Sequence, residues 1–215
     1  MTAFGLRVGF VPGVTLTKWR RIWADRFRRV PLEVVEVAES DQRPALLEGR
    51  VDMCFIRLPI DRADLHAIPL YEEVPVVVAA KDHPISLFAE VSWADLADEN
   101  LLDPGDPDAL DLAVGGAGVL TVPQSIAREH SRRDLVYRPI SDGTPTQVAL
   151  AWPVGHPSEL IEDFVGIVRG RTVNSSRSRP QPTTQPTKPT TAPKPTTAPK
   201  PATPPRPEGR RRRGR

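Results

Sequence analysis

The chain has one cysteine in 215 residues, Cys54. It therefore has no internal disulfide, and a lone thiol cannot build a structural zinc cluster. A reducing compartment fits this usage. Histidine is nearly as scarce, and the four, His66, His83, His130 and His156, lie without metal-ligand spacing, as surface or turn residues. No metal or cofactor is expected. No apolar run approaches the ~20 residues that span a bilayer. Residues Met1 to Thr15 lack the basic start and continuous apolar stretch of a secretory signal. On these absences the protein is expected to be soluble and cytoplasmic. From Asn174 onward there is no Leu, Ile, Val, Phe, Tyr or Trp, so nothing in that segment offsets the ordering entropy of roughly 1–2 kcal/mol per residue.

What the chain does have is unevenly spread. Residues 1–170 carry 17 Lys and Arg against 26 Asp and Glu, a formal −9, whereas residues 171–215 carry 12 against one, a formal +11. Many of the 25 prolines fall in this last part, where Thr-Thr-Ala-Pro-Lys-Pro occurs at 190–195 and again at 196–201. The composition predicts a disordered basic tail over 173–215, with polyproline II character and with Lys188, Lys194 and Lys200 at six-residue intervals before Arg210, Arg211, Arg212 and Arg213. Such a segment can neutralise phosphates and bind nucleic acid without regard to sequence, in a salt-sensitive way. A solubilising linker, or a contact with the acidic body, is the plainer reading.

In the body, Leu6 to Phe10 alternates as a strand, and Pro12-Gly13 turns the chain into a helix from about Leu16 to Arg29. There Leu16, Trp19, Ile22, Trp23 and Phe27 recur at three- and four-residue steps. A strand over Leu32 to Val37 and a short helix ending at Gly49, capped by Ser40 or Asp41, come next. Val51 to Ile56 is then a nearly continuous apolar run, the pattern of a strand covered on both faces. This β-α-β-α-β order predicts a parallel sheet with helices on it. Further strands are expected at Leu65 to Leu70, Val74 to Ala80, Val119 to Val122, Leu135 to Arg138 and Val148 to Trp152. Helices are expected after the capping-box spacing Ser92 to Asp95, at Ala109 to Val114, at Pro123 to Glu129 and at Ser158 to Arg169. Two α/β units result, with the chain crossing between them near Val78 to Lys81 and returning near Gln147 to Trp152. Strand ends and helix starts of both would then face one cleft.

Leu6-Arg7-Val8-Gly9-Phe10, the stretch Leu46 to Arg57, and Leu70-Tyr71-Glu72-Glu73 ahead of a strand ending in Lys81-Asp82-His83-Pro84 resemble the effector-binding domain of LysR-type transcriptional regulators. Gly116 to Ser125 is similar to the second-half signature of that family, and Val148 to Trp152 to its closing strand. The resemblance covers about residues 5–170. It implies an α/β periplasmic-binding-protein-like fold of two subdomains: the first over about 5–80 and 148–170, the second over about 81–147, followed by the tail. It also implies a small organic effector, with carboxylates in view, and a sensor rather than an enzyme. The sequence starts almost directly on the first strand, so the family's winged helix-turn-helix is expected to be missing. Only sixteen residues separate Leu102 from Val119, so the second subdomain is expected to be shortened and the family's dimer interface altered. A homodimer or a hetero-partner fits the resemblance. A nucleic-acid-associated protein acting through its tail, or a decayed regulator, is the alternative.

The effector-binding residues expected on this basis are the turn Pro12, Gly13, Val14 and Thr15, with free N–H groups and a hydroxyl; the facing loop Glu39, Ser40 and Asp41; Arg57, whose guanidinium could fork a carboxylate; and Asp103 and Pro104 on the opposite wall. The plainer readings are that Thr15 caps the helix and that Arg57 forms a salt bridge to Glu39, Asp41 or Asp61. Gly115 to Gly118 lacks Gly-Lys-Ser/Thr and runs from helix to strand, so it ends a helix rather than cradling phosphate. Cys54, inside an apolar strand, reads as inert packing. No catalytic residue is expected.

Overall fold

A computed structural model describes residues 5–155 and 158–171; the tail residues named above lie outside this range. β1 (Leu6–Phe10) passes through the Pro12-Gly13 turn into α1 (Thr17–Arg26), and β2 (Leu32–Glu36) returns alongside β1 in parallel, Val8 facing Val34. Trp23 anchors α1: it is buried, its indole N–H donates to the Val30 carbonyl at 2.9 Å, and its ring meets Phe27 and Phe164. α2 (Gln42–Leu47) leads into β3 (Met53–Leu58). In β3 the alternate residues serve opposite faces. Met53 and Phe55 join the core under α1, while Cys54 and Ile56 pack with Ala45 and Leu46 of α2. That two-sided burial explains the unbroken apolar run.

β4 (Leu65–Glu73), β5 (Pro75–Ala80), β6 (Leu101–Leu102), α3 (Ala109–Val114), β7 (Val119–Pro123), α4 (Gln124–Glu129), β8 (Leu135–Pro139), β9 (Thr146–Pro153) and α5 (Glu159–Val168) complete the described chain. Two sheets result, in the orders β2-β1-β3-β9-β4 and β6-β7-β5-β8. In the first, β1 is parallel to β2 and β3, whereas β9 runs antiparallel to β3 and β4; in the second, β5 runs antiparallel to both neighbours. The parallel βαβαβ core is as expected, and the returning strand makes the sheet mixed. Both sheets belong to one compact unit.

Three elements depart from the sequence reading. β4 does not stop at Leu70: its pairing with β9 shifts register between Pro69 and Tyr71 and then resumes as far as Glu73. Pro69 has no N–H to donate, and a bulge absorbs the mismatch. Only Val74 separates β4 from β5, so the chain leaves the first sheet there rather than near Val78. β5, buried from Val76 to Ala80, lies in the interior of the second sheet. The spacing Ser92 to Asp95 does form reciprocal bonds, Ser92 N–H to Asp95 Oδ2 at 2.7 Å and Asp95 N–H to Ser92 Oγ at 3.3 Å. They hold a single 3-10 turn, Ala94–Leu96, rather than a helix. The glycine run acts as read: Gly116 has φ +72°, and the Ala117 N–H closes α3 onto Leu112 O at 3.0 Å.

Candidate functional site

The β1–α1 turn lies where the two sheets approach. Gly13 takes φ +85°, and a Cβ built on it would lie 2.5 Å from Ser125 Oγ, so only glycine lets α4 of the second lobe come this close. Leu16 occupies the N-cap of α1 without a side-chain bond, which leaves the exposed Thr15 hydroxyl outside any cap. Around the turn is a cavity of about 620 Å³. It is walled by Gly13, Val14, Thr15 and Trp19 of the first lobe, by Tyr71 to Val74 at the crossing, and by Gln124, Ser125, Arg128 and Glu129 on α4. Trp19 lies flat on Phe55, ring centres 4.7 Å apart and planes within 19°, so its ring is held in place.

Arg57 is inside the protein rather than open to a ligand, with 1% of its side chain exposed. Its Nε donates to Glu73 Oε2 at 2.8 Å, and Nη1 donates to Glu39 Oε2 at 3.2 Å. Nη2 donates to the Pro12 carbonyl at 2.6 Å and to Ser125 Oγ at 3.2 Å. The fork expected to receive a carboxylate is thus engaged by two carboxylates of its own, and the last of these bonds ties one lobe to the other. Gln42 clamps the Arg57 backbone from both sides, accepting from its N–H at 2.9 Å and donating to its carbonyl at 3.0 Å.

The other expected residues divide. Glu39 meets Arg57, as one plainer reading held. Asp41 turns outward and takes both Arg50 Nη atoms, at 2.6 and 2.8 Å, and those bonds hold its carboxyl below the usual range. Ser40 is exposed beside it. Asp103 and Pro104 lie in an exposed turn in which Asp103 Oδ1 accepts from the Gly105 N–H at 2.8 Å; neither is part of the cavity wall. Gly13, Val14 and Thr15 do line it, while Pro12 reaches it only through its carbonyl on Arg57. Sequence reasoning missed Trp19, Tyr71, Glu73 and the polar face of α4. A signal for Glu73 was present: it is two residues from Tyr71 in what proves to be one strand, so both point to the same side. Burial, with the nearby Glu73 charge second and Arg57 opposing, raises the Tyr71 hydroxyl above its ordinary pKa.

Cys54 is packing, as read: it is fully buried, and loss of water pushes its thiol up to about 12. Among the described residues no group of three or more His, Cys, Asp or Glu is placed to hold a metal, and no helix is long and apolar enough to cross a membrane.

Residues 5–111 match the family described as the LysR substrate binding domain. The chain belongs to that family. Among curated relatives, the Hca operon transcriptional activator HcaR of Escherichia coli is 24% identical over 200 residues, covering 77% of this chain and 67% of its own length. The HTH-type transcriptional regulator CatR of Pseudomonas putida is 28% identical over 197 residues, covering 76% and 67%. The BenM effector binding domain, solved with its effector benzoate, superposes with a TM-score of 0.67 at 24% identity, covering 79% of this chain and 92% of that one. The two-lobed α/β architecture described above is thus that of LysR effector-binding domains, and HcaR and CatR are transcriptional regulators.

Proposed function

We propose that the cavity between the lobes is the effector site of this LysR-type domain, and that its occupant sets how the lobes lie against each other. The observation that supports this most directly is a hollow of about 620 Å³ at the β1–α1 turn, walled by both lobes. Small-molecule sites commonly fall in a range of roughly 300–1,000 Å³. Two short crossings, at Val74 and between Ile140 and Thr146, join the sheets. A guest touching Thr15 on one side and Ser125 on the other would bias the hinge by whatever its affinities for the open and closed forms differ. A partner that reads the lobe angle would turn this into regulation of transcription in the cytoplasm.

A carboxylate effector would find Arg57 already engaged, so Arg128 and the hydroxyls of Thr15 and Ser125 would have to receive it. Calorimetry of the full chain against small aromatic and aliphatic acids, amines and alcohols tests the site. Saturable heat is expected, weakened at least about tenfold by Thr15→Trp, which fills the mouth without touching the Arg57 bonds. Heat that Thr15→Trp leaves unchanged refutes the location.

The reading of the tail as a nucleic-acid contact through Lys188, Lys194, Lys200 and Arg210 to Arg213 rests on composition alone. Gel shifts on non-specific duplex DNA at two salt concentrations test it. Binding should fall steeply with salt and vanish when residues 174–215 are deleted. Binding that survives the deletion refutes it.

A further inference from the structure

Glu73 is a buried carboxylate with half of its hydrogen-bonding capacity unused. Its side chain is 5% exposed and forms part of the cavity wall. Oε2 accepts from Arg57, but Oε1 has no hydrogen-bond partner among the described residues. Buried polar atoms are nearly always satisfied, and an orphan on a residue that lines a cavity marks a position from which a donor is missing; Oε1 itself has almost no accessible surface, so a guest reaches it only as the Glu73 side chain turns or the lobes part. The charges around it have the same sense. Among the described residues, Glu72, Glu73 and Glu129 line the cavity against one cation, Arg128. The charge of Arg57 is divided between Glu73 and Glu39, and its remaining bonds go to Pro12 and Ser125. The cavity therefore has a negative potential and two aromatic side chains, Trp19 and Tyr71, in its wall.

We propose that the effector is a cationic amine: a protonated nitrogen donates to Glu73 Oε1 while its apolar part packs along Trp19 and Tyr71. This rests on the reading of the cavity as the effector site and gives that site its ligand class. A carboxylate placed in the same position would set a second anion against Glu73 and leave Oε1 unsatisfied.

The test uses matched probes on the full chain at neutral pH: benzylammonium, benzyl alcohol and benzoate, with butylammonium and butyrate as a slimmer pair. Binding is read by calorimetry and by Trp19-sensitive fluorescence. Each amine should bind at least about tenfold more tightly than its matched acid, with the alcohol between them. Glu73→Gln should lower amine affinity at least about tenfold and alcohol affinity less. Should that variant fail to fold, the exposed changes Glu72→Gln and Glu129→Gln, which leave the Arg57 bonds intact, should each weaken the amine about threefold and leave the alcohol unmoved. An acid that outbinds its amine overturns the amine assignment and leaves the effector site standing. Amine binding indifferent to all three variants also overturns it. Absence of binding by every probe overturns the site and the assignment together.

Discussion

The two lobes are built from different material. Beneath and beside α1, the first lobe interlocks Trp19, Trp23, Phe27, Phe55 and Phe164, with ring centres 4.4 to 6.2 Å apart. The second lobe closes on Val77, Ala79, Ile85, Val91, Leu96, Val119 and Ile140 on one face and on Val76, Val78, Ala109, Leu120, Val122 and Ala127 on the other. None of its large rings is fully buried: Phe88 is 58% and Trp93 41% exposed, and Tyr137 packs only partly buried against the second cluster. Rings bury more area per side chain than valine or alanine and add their own pair energy. The first lobe is thus the rigid wall, fixing Trp19 and the β1–α1 turn. The second, carrying the polar face of α4, is packed from smaller side chains and is expected to yield first.

This contrast is broken most easily from its strong side. Phe164 is fully buried between Trp23 and Phe55. Phe164→Ala should lower the unfolding free energy by about 4 kcal/mol in urea titration; a loss below ~2 kcal/mol would mean that the rings are not the keystone. Arg57 sits between the lobes, and Arg57→Met should lose about 3 kcal/mol, because Glu73 is left buried without its cation. Adding Glu73→Leu should restore most of that loss, since the desolvated carboxylate goes too. A double variant no better than the single one would mean that the bonds of Arg57 to Pro12 and Ser125, rather than the ion pair, carry the effect. Leu96, 2% exposed in the second lobe, should lose only about 2 kcal/mol on Leu96→Ala, because its neighbours are small and can close around the gap. A loss matching that of Phe164→Ala would erase the distinction.

How far these features were legible in the sequence follows from the range of the signals. The helix period Leu16, Trp19, Ile22, Trp23, Phe27 and the apolar run through β3 are local, and each reads out as the element found. The Gly13 turn is also local, and it lies at the cavity. Arg57 was legible as a side chain at a strand end but not as an engaged one. Its main partner, Glu73, stands 16 residues on, beyond a proline that looks like a strand terminus and is a bulge. The Asp103 turn is itself a local feature, an aspartate accepting from the backbone two residues on. Nothing in a turn motif says which way it faces relative to a cleft. Positions set by sheet order, such as β5 in the interior of the second sheet and α4 against Gly13, depend on pairings between distant segments, and periodicity does not encode them.

The smallest expected effect tests the weaker lobe at its edge. Asp95 accepts from both the N–H and the hydroxyl of Ser92, each at 2.7 Å, and these bonds hold its pKa below the ordinary carboxylate value. A group whose folded pKa is depressed contributes stability that is present above the unfolded value, near 3.9, and is lost as pH falls through the folded one. Asp95→Asn should therefore lower the thermal midpoint slightly at pH 7, and the difference from the parent should close as pH falls through the depressed folded pKa, below which both side chains are neutral. Asp41 in the first lobe is depressed too, by Arg50, so Asp41→Asn should give the same pH signature. If hydrogen exchange at pH 7 then registers Asp95→Asn mainly in β5 and β7 and Asp41→Asn nowhere outside its own loop, the second lobe yields locally where the first does not. Equal spread of the two effects would show that the lobes open as one.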